Sequence, residues 1–289
     1  MFGIETRYLS FFFGLVSILS FFNVIYSYYL NLYLNLDTYY LSFFCSLVIS
    51  ILFYNLKFEQ KRLTIFNKIL TVFVGYIFIP LVLSIPFYFS IYNLTLLNSF
   101  FEAISGFTST GFTIFDNVKH IDQSLILWRS STQWIGGLYF LFSIIFLIDI
   151  YDENFKKTLT NFISFDSSEI FKQAIKIFLL YSVLTLIIFI ILNIFSIRTF
   201  DSLNLSFSLI SSGGFLPVND LSIILKENSQ VIITSLLMLT SFFSIFFSYN
   251  LIFSKNKNIN FFYEDLHLII YLIVVLTIFF LFFSFNNDF

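Results

Sequence analysis

The sequence predicts an all-α membrane protein with seven transmembrane helices and two re-entrant pore loops, which enter the bilayer without crossing it. Three observations lead to this fold class. Of the 289 residues, 58% are hydrophobic and only 11% are charged, whereas a soluble domain carries about 25% charged residues. Seven apolar stretches approach the roughly 20 residues that a helical crossing needs. Two segments rich in glycine and hydroxyl side chains, 105–112 and 208–215, lie between such stretches.

The predicted crossings follow one another along the chain, with charged links between several of them. They lie near residues 8–30, 38–56, 63–90, 123–149, 170–196, 229–254 and 264–286. We expect the first to be a retained membrane helix rather than a signal peptide, because no small-residue cleavage site follows it. Pro80 and Pro86 predict a kink late in the third crossing.

The distribution of basic residues predicts the orientation of these helices. If the N-terminus is cytoplasmic, eleven of the fifteen Lys and Arg residues fall on the inside. The outside then receives only Lys119, Arg129, Arg198 and Lys226. Because short cytoplasmic loops are enriched in Lys and Arg, this asymmetry favours a cytoplasmic N-terminus. Both glycine-containing segments then enter the bilayer from the outside.

The two outer segments, 91–122 and 197–228, are too long to be simple turns. Each begins with residues that can start a helix. The first contains Ser99 and Glu102 in the S-x-x-E pattern of a capping box, and the second contains Asp201-Ser202, a pair suited to an N-cap. Each predicted helix ends at hydroxyl residues and glycine. Irregular backbone at membrane depth is tolerated where it lines a cavity or is buried in protein, which favours a re-entrant loop.

An internal repeat relates the two segments. A shift of 103 positions superposes Ser99 on Ser202, Ser105 on Ser208, Ser109 on Ser212, Gly111 on Gly214 and Phe112 on Phe215. The same shift carries the flanking crossings of the first segment onto those of the second. We therefore divide the chain into an N-terminal helix pair (1–60), two helix–pore loop–helix repeats (61–160 and 161–258) and the first helix of an incomplete third repeat (259–289).

Glycine usage indicates what the loops bind. We expect Gly111 and Gly214 to need a positive φ or to approach an ion closely, and Gly136-Gly137 to let a loop or helix approach. Carbonyl oxygens of such a strand can replace the hydration shell of potassium, and the preceding helix directs its negative C-terminal end toward a cation. Alternatively, these small residues only allow close helix packing. Their recurrence in both loops favours the ion path.

Arg129 opens the crossing that follows the first loop, and two interpretations of it stay equally open. It could pair with Glu102 or Asp122 at the outer surface, or hold the first loop by bonding its carbonyl groups. It could instead be an interfacial residue, with Trp128 and Trp134 in an aromatic belt.

Other function classes find little support in the sequence. No nucleophile–base pair, phosphate-binding loop or dinucleotide fingerprint is visible, so we expect no enzyme. His120 and His267 lack ligand-spaced partners, and we expect no prosthetic group. A net charge of −2 gives no reason to expect a nucleic-acid partner. A secondary transporter for an organic solute would predict charged residues at the bilayer midplane, which we do not find.

The segment from Phe100 to Gly111 resembles the first pore loop of the Trk/Ktr/HKT superfamily of potassium transporters. Residues 128–137 are similar to the start of the next helix, and 206–215 to the second loop. The helix pair before the first repeat resembles the TrkH branch. The resemblance implies that potassium is the transported ion and that Gly111 and Gly214 are central filter glycines. It also implies potassium-facing backbone carbonyls, contributed by Ser109, Thr110, Gly111, Ser212, Gly213 and Gly214.

The resemblance further implies a membrane subunit of a potassium uptake system in the bacterial cytoplasmic (inner) membrane. Uptake would be driven by or coupled to the membrane potential, as in symport, and a TrkA-like cytoplasmic regulatory subunit would bind the inner face. Family members have four repeats, whereas this sequence shows two and one further helix. We expect another chain to supply the remaining pore repeats, and favour a split or truncated gene over assembly of two copies. The alternative function is a non-conducting remnant or assembly partner.

Overall fold

The computed structural model describes residues 5–56, 65–147 and 170–242, and residues 270–278 without 272 and 276. All regular elements within these ranges are helical. They are α1 (Thr6–Tyr29), α2 (Leu36–Asn55), α3 (Ile65–Leu83), α4 (Ile85–Tyr88), α5 (Leu96–Phe107), α6 (Gln123–Phe146), α7 (Ile170–Ile194), α8 (Thr199–Ile210) and α9 (Asn228–Phe242). The described residues between 270 and 278 are also helical, and they belong to a separate unit.

Four helical stretches among the described residues are long and apolar enough to cross a membrane. They are Thr6–Tyr29, Leu36–Asn55, Ile65–Tyr88 and Ile177–Ile194. The protein is therefore a multi-pass membrane protein. The predicted crossing at 264–286 lies mostly outside the described residues, and α9 is described over 15 residues. The total of seven crossings stays a prediction.

Helix α6 is 24 residues long but is not among the four apolar stretches, because it carries many polar side chains. Every residue from 124 to 139 is buried. The polar groups of α6 therefore contact protein rather than lipid, which is where such groups are tolerated within a bilayer. Helix α6 packs against α1, α5 and α8, and so it lies between the N-terminal helix pair and both short helices.

The N-terminal pair α1 and α2 forms the most extensive helix contact of the described chain. Hydroxyl side chains join the two helices. The Ser20 hydroxyl donates to Ser42 Oγ over 3.1 Å, and the Ser10 hydroxyl donates to the Ser50 carbonyl over 2.8 Å. Small hydroxyl residues allow close helix approach and supply hydrogen bonds inside a bilayer. This pair is consequently held by polar contacts, while large apolar residues cover its outer face.

The predicted third crossing is interrupted where the prolines lie. Helix α3 contains Pro80 and ends at Leu83, and α4 begins at Ile85 with Pro86 in its first turn. Proline has no N–H to donate to the carbonyl four residues earlier, but it is favoured in the first turn of a new helix. At the place where these prolines predict a kink, α3 ends and α4 begins, with Ser84 between them.

The two short helices begin earlier than predicted. The N-cap of α5 is Thr95, whose hydroxyl accepts from the Asn98 N–H over 3.3 Å. Ser99 lies one turn inside the helix and donates to the Thr95 carbonyl. The predicted capping box of Ser99 and Glu102 is therefore wrong, which frees the Glu102 side chain for tertiary contacts.

The start predicted for the second short helix is also wrong. The N-cap of α8 is Arg198, without a side-chain cap, and Asp201 lies in the first turn. With these starts, α5 and α8 both have 12 residues and are related by the 103-residue shift at both ends. The 3₁₀ turns Val118–His120 and Leu221–Ile223, which follow the two loops, are related by the same shift.

Candidate functional site

The backbone turns sharply at equivalent positions after the two short helices. Ser109 has a φ of 54° and Ser212 a φ of 52°. Gly111 also has a positive φ, of 80°, whereas Gly214 does not. Of the two alternatives expected at Gly214, the positive φ is therefore not found, and the serine two residues before each glycine makes this turn in both loops.

Equivalent hydrogen bonds close the two turns. The Thr110 N–H donates to the Ser105 carbonyl over 2.9 Å, and the Gly213 N–H donates to the Ser208 carbonyl over 2.8 Å. Each bond ties a loop to the last turn of its short helix. Since carbonyl groups at a helix C-terminus carry partial negative charge, the ends of both short helices favour a cation at the loops.

The two loops meet at their glycines. A Cβ placed on Gly111 would lie 2.6 Å from the Gly214 Cα. A Cβ placed on Gly214 would lie 3.7 Å from the Thr110 carbonyl oxygen and 3.8 Å from that of Gly111. The structure thus brings Thr110, Gly111 and Gly214 together. Thr110 and Gly214 are exposed in this chain, so their backbone groups remain accessible on one side.

A cavity of about 220 Å³ lies beside this junction. Residues of both loops line it, among them Gly111, Asp116 and Gly214. The Val118 N–H donates to Asn219 Oδ1 over 2.7 Å and joins the two segments that follow the loops. The two loops therefore form a single site.

Arg129 forms a buried ion pair with Glu102. The Arg129 Nε lies 2.8 Å from Glu102 Oε1, and the two side chains are 2% and 0% exposed. Glu102 also accepts from the Thr113 hydroxyl over 3.0 Å and from the Ile114 N–H over 3.0 Å. The pairing predicted between Arg129 and Glu102 is confirmed, whereas Asp122 instead accepts from the Ser124 hydroxyl. The ion pair fixes the chain that leaves the first loop.

Helix α6 also holds the second loop. The Arg129 Nη1 donates to the Leu216 carbonyl over 3.4 Å, and the guanidinium lies 4.2 Å from the centre of the Phe215 ring. Gln133 Oε1 accepts from the Phe215 N–H over 3.2 Å. Arg129 does bond a loop carbonyl, as one interpretation expected, but this carbonyl belongs to the second loop rather than to the first. Sequence reasoning assigned no role to Gln133, although a glutamine one turn after a buried arginine is itself a signal of polar contacts.

The two tryptophans do not form an aromatic belt. Trp128 is fully buried, and its Nε1 donates to the Leu83 carbonyl over 3.0 Å. Trp134 is also buried, and its Nε1 donates to Thr185 Oγ1 over 3.0 Å. The interfacial interpretation of Arg129 and these tryptophans is therefore wrong, because their polar groups are bonded inside the protein.

The close approach predicted at Gly136-Gly137 is confirmed. A Cβ on Gly136 would collide with the carbonyl group of Phe107, which is the last residue of α5. A Cβ on Gly137 would lie 2.9 Å from the Ser211 Cα, directly after α8. Helix α6 therefore contacts the ends of both short helices through two adjacent glycines. The same two glycines therefore allow close helix packing and position both loops.

We expect Gly136→Ala to lower the melting temperature of the purified protein, although alanine is intrinsically better in helices than glycine by about 1 kcal/mol. The added methyl group can only be accommodated if α5 moves away from α6, since backbone atoms rather than a flexible side chain lie in its path. Thermal unfolding in detergent measures the change. Gly14→Ala is the matched control, because its methyl group would meet Ser50 Oγ at 3.4 Å, an ordinary contact. A melting temperature of Gly136→Ala equal to that of the control would contradict the expectation.

The sequence is similar to those of cation transporters. No family model matches the sequence. An uncharacterized cation transporter of Methanocaldococcus jannaschii is 25% identical over 185 residues, which are 61% of this chain and 37% of that protein. The Trk system potassium uptake protein TrkH of Salmonella typhimurium is 27% identical over 139 residues, 46% of this chain and 29% of that protein.

The fold matches a solved structure. The crystal structure of the potassium transporter TrkH from Vibrio parahaemolyticus superposes with a TM-score of 0.66 and 18% identity, over 82% of this chain and 48% of that one. The chain thus spans less than half the length of these relatives. The chain is thus similar in sequence to Trk potassium uptake proteins over part of its length and shares the helical fold of TrkH over 82% of it.

Proposed function

We propose that this chain is a membrane subunit of a potassium uptake system and that the ion passes a filter of backbone carbonyls. The filter segments are Ser109–Gly111 and Ser212–Gly214. The meeting of Gly111 and Gly214 at the ends of two equivalent short helices supports this proposal most. Carbonyl oxygens can replace the hydration shell of potassium, and two helix C-termini directed at one point favour a monovalent cation over an anion.

In this proposal the membrane topology has seven crossings, with the N-terminus in the cytoplasm. The segments containing α5 and α8 then enter the bilayer from outside and return to the same side. The 12-residue length of each helix supports this arrangement, because about 20 residues are needed for a full crossing. The 3₁₀ turns after the loops lie on the outer side, where the ion enters.

The proposed filter needs more than these two segments. Thr110, Ser212 and Gly214 are exposed in the chain, so two loops surround an ion on one side only. A carbonyl cage that replaces a hydration shell must surround the ion. We propose that a further chain supplies the remaining pore repeats and that a TrkA-like regulatory subunit binds the cytoplasmic face.

Rubidium uptake tests the proposal. The chain is produced in a potassium-uptake-deficient bacterial host, once alone and once with the genes that neighbour its own. We expect the second strain to take up 86Rb and to grow at low potassium, since rubidium replaces potassium in carbonyl filters of this kind. The control strain carries the neighbouring genes without this chain. Equal uptake in that strain and in the complete one contradicts the proposal and favours a non-conducting assembly partner.

A further inference from the structure

We infer that Arg129 sets the spacing between the two filter segments and thereby the preference of the filter for potassium over sodium. This inference rests on the proposed function. The Arg129 Nη2 donates to Thr113 Oγ1 over 3.0 Å, and the Nη1 donates to the Leu216 carbonyl over 3.4 Å. Thr113 and Leu216 each lie two residues after a filter glycine and are related by the repeat. One guanidinium group thus contacts equivalent positions of both loops.

The guanidinium is itself held in place by its neighbours. Glu102 on α5 binds its Nε over 2.8 Å, and the Phe215 ring lies 4.2 Å from the guanidinium carbon. Arg129 is 1% exposed, which shields the guanidinium from water, whereas Thr113 is exposed. A planar group with donors in a rigid fork loses little freedom when several partners bind it. We call Glu102, Arg129, Thr113 and the Leu216 carbonyl the Arg129 bridge.

The described residues of the second repeat contain no equivalent bridge. The counterparts of Glu102, Arg129 and Gln133 under the 103-residue shift are Leu205, Ile232 and Leu236. Ile232 is 61% exposed, and Leu236 is 53% exposed. Within the described residues, the second loop therefore takes its polar side-chain support from α6 of the first repeat. The two filter segments are coupled through a single helix.

This coupling bears on ion preference because sodium is smaller than potassium. A carbonyl cage that fits potassium binds sodium well only if its strands move closer together, so a fixed spacing of the strands favours potassium. The Arg129 bridge resists such a movement, since bringing the strands closer would distort a buried ion pair and its hydrogen bonds. Arg129 acts on the ion only through the backbone, so it is a positioning residue.

The experiment measures the ratio of 86Rb to 22Na uptake in the complete system described above, at matched amounts of protein in the membrane. Arg129→Lys keeps the charge but cannot reach both loops at once. We expect it to lower the ratio by about tenfold, the effect of losing one charge-assisted hydrogen bond. Thr113→Val keeps both charges and removes the bridging hydroxyl, and we expect a smaller decrease. Thr113→Ser retains the hydroxyl, so we expect its uptake ratio to be closer to that of the unaltered chain.

Arg198→Lys is the matched control, because Arg198 is exposed and contacts only the nearby Phe200 ring among the described aromatic residues. An unchanged ratio in variants that still take up rubidium overturns the inference and leaves the proposed function standing. Rubidium and sodium uptake that fall by the same factor also overturn the inference, because that result indicates a purely structural role. If Arg129→Lys does not reach the membrane, Thr113→Val decides alone. No uptake by the unaltered system overturns both the inference and the proposed function.

Discussion

Gly111→Ala is expected to reduce 86Rb uptake by about tenfold or more, since a side chain at positive φ costs roughly 1–2 kcal/mol and 1.4 kcal/mol corresponds to a factor of ten. Gly111 has a φ of 80°, and its added methyl group would lie 2.6 Å from the Gly214 Cα. Both effects act on the two filter segments directly. Initial uptake rates in the complete system, normalised to the protein in the membrane, measure the loss.

Gly214→Ala is the matched comparison for this prediction. Gly214 does not have a positive φ, and its methyl group would meet the Gly111 Cα at 3.2 Å, a contact that a small shift relieves. We therefore expect the smaller loss of uptake at Gly214, although both residues belong to the proposed filter segments. Equal losses at the two positions would show that the backbone conformation of Gly111 is not what limits substitution there.

Arg129→Leu is expected to destabilise the folded protein by about 3–5 kcal/mol, the usual result of leaving a buried charge without its partner. Glu102 would then stay buried with only the Thr113 hydroxyl and the Ile114 N–H as donors. Unfolding of the purified chain in detergent measures the change. Tryptophan fluorescence is a suitable signal, because both tryptophans of the protein, Trp128 and Trp134, lie on α6 beside Arg129.

The double variant Glu102→Leu/Arg129→Leu separates charge from packing. It removes both charges, so we expect it to be more stable than Arg129→Leu alone, since apolar replacements of a buried ion pair are often neutral. Arg198→Leu, at an exposed position, serves as the control. A double variant less stable than the single one would mean that Glu102 stabilises the fold through the Thr113 hydroxyl and the Ile114 N–H even without Arg129.

Much of the fold was predictable because the relevant signals are local. Apolar length predicts the long helices, and the 103-residue repeat predicts the paired short helices and their loops. The helix starts were missed because Thr95 and Ser99 are both good N-caps, four residues apart, and only the structure shows that Thr95 is used. Pattern alone cannot decide between two such candidates.

The candidate site was less predictable because its contacts join distant parts of the chain. In a membrane protein apolar residues face both lipid and protein, so composition does not reveal which helix is buried. Trp128 and Trp134 were consequently interpreted as interfacial, although both lie inside. The bond between Gln133 and Phe215 spans 82 residues, and the polar residues around Gln133 indicate polar contacts but not this partner.

The polarity of α6 has a consequence for the biosynthesis of the protein. A helix enters the bilayer on its own only if its side chains favour lipid, and a buried arginine such as Arg129 opposes this step. Helix α6 carries Arg129, Gln133 and several hydroxyl groups, all buried against other helices. Its partner Glu102 precedes it in the chain and emerges first from the ribosome. Stable insertion of α6 is therefore coupled to the earlier helices. These helices must stay close to the insertion machinery until α6 can pack against α1 and pair with Glu102.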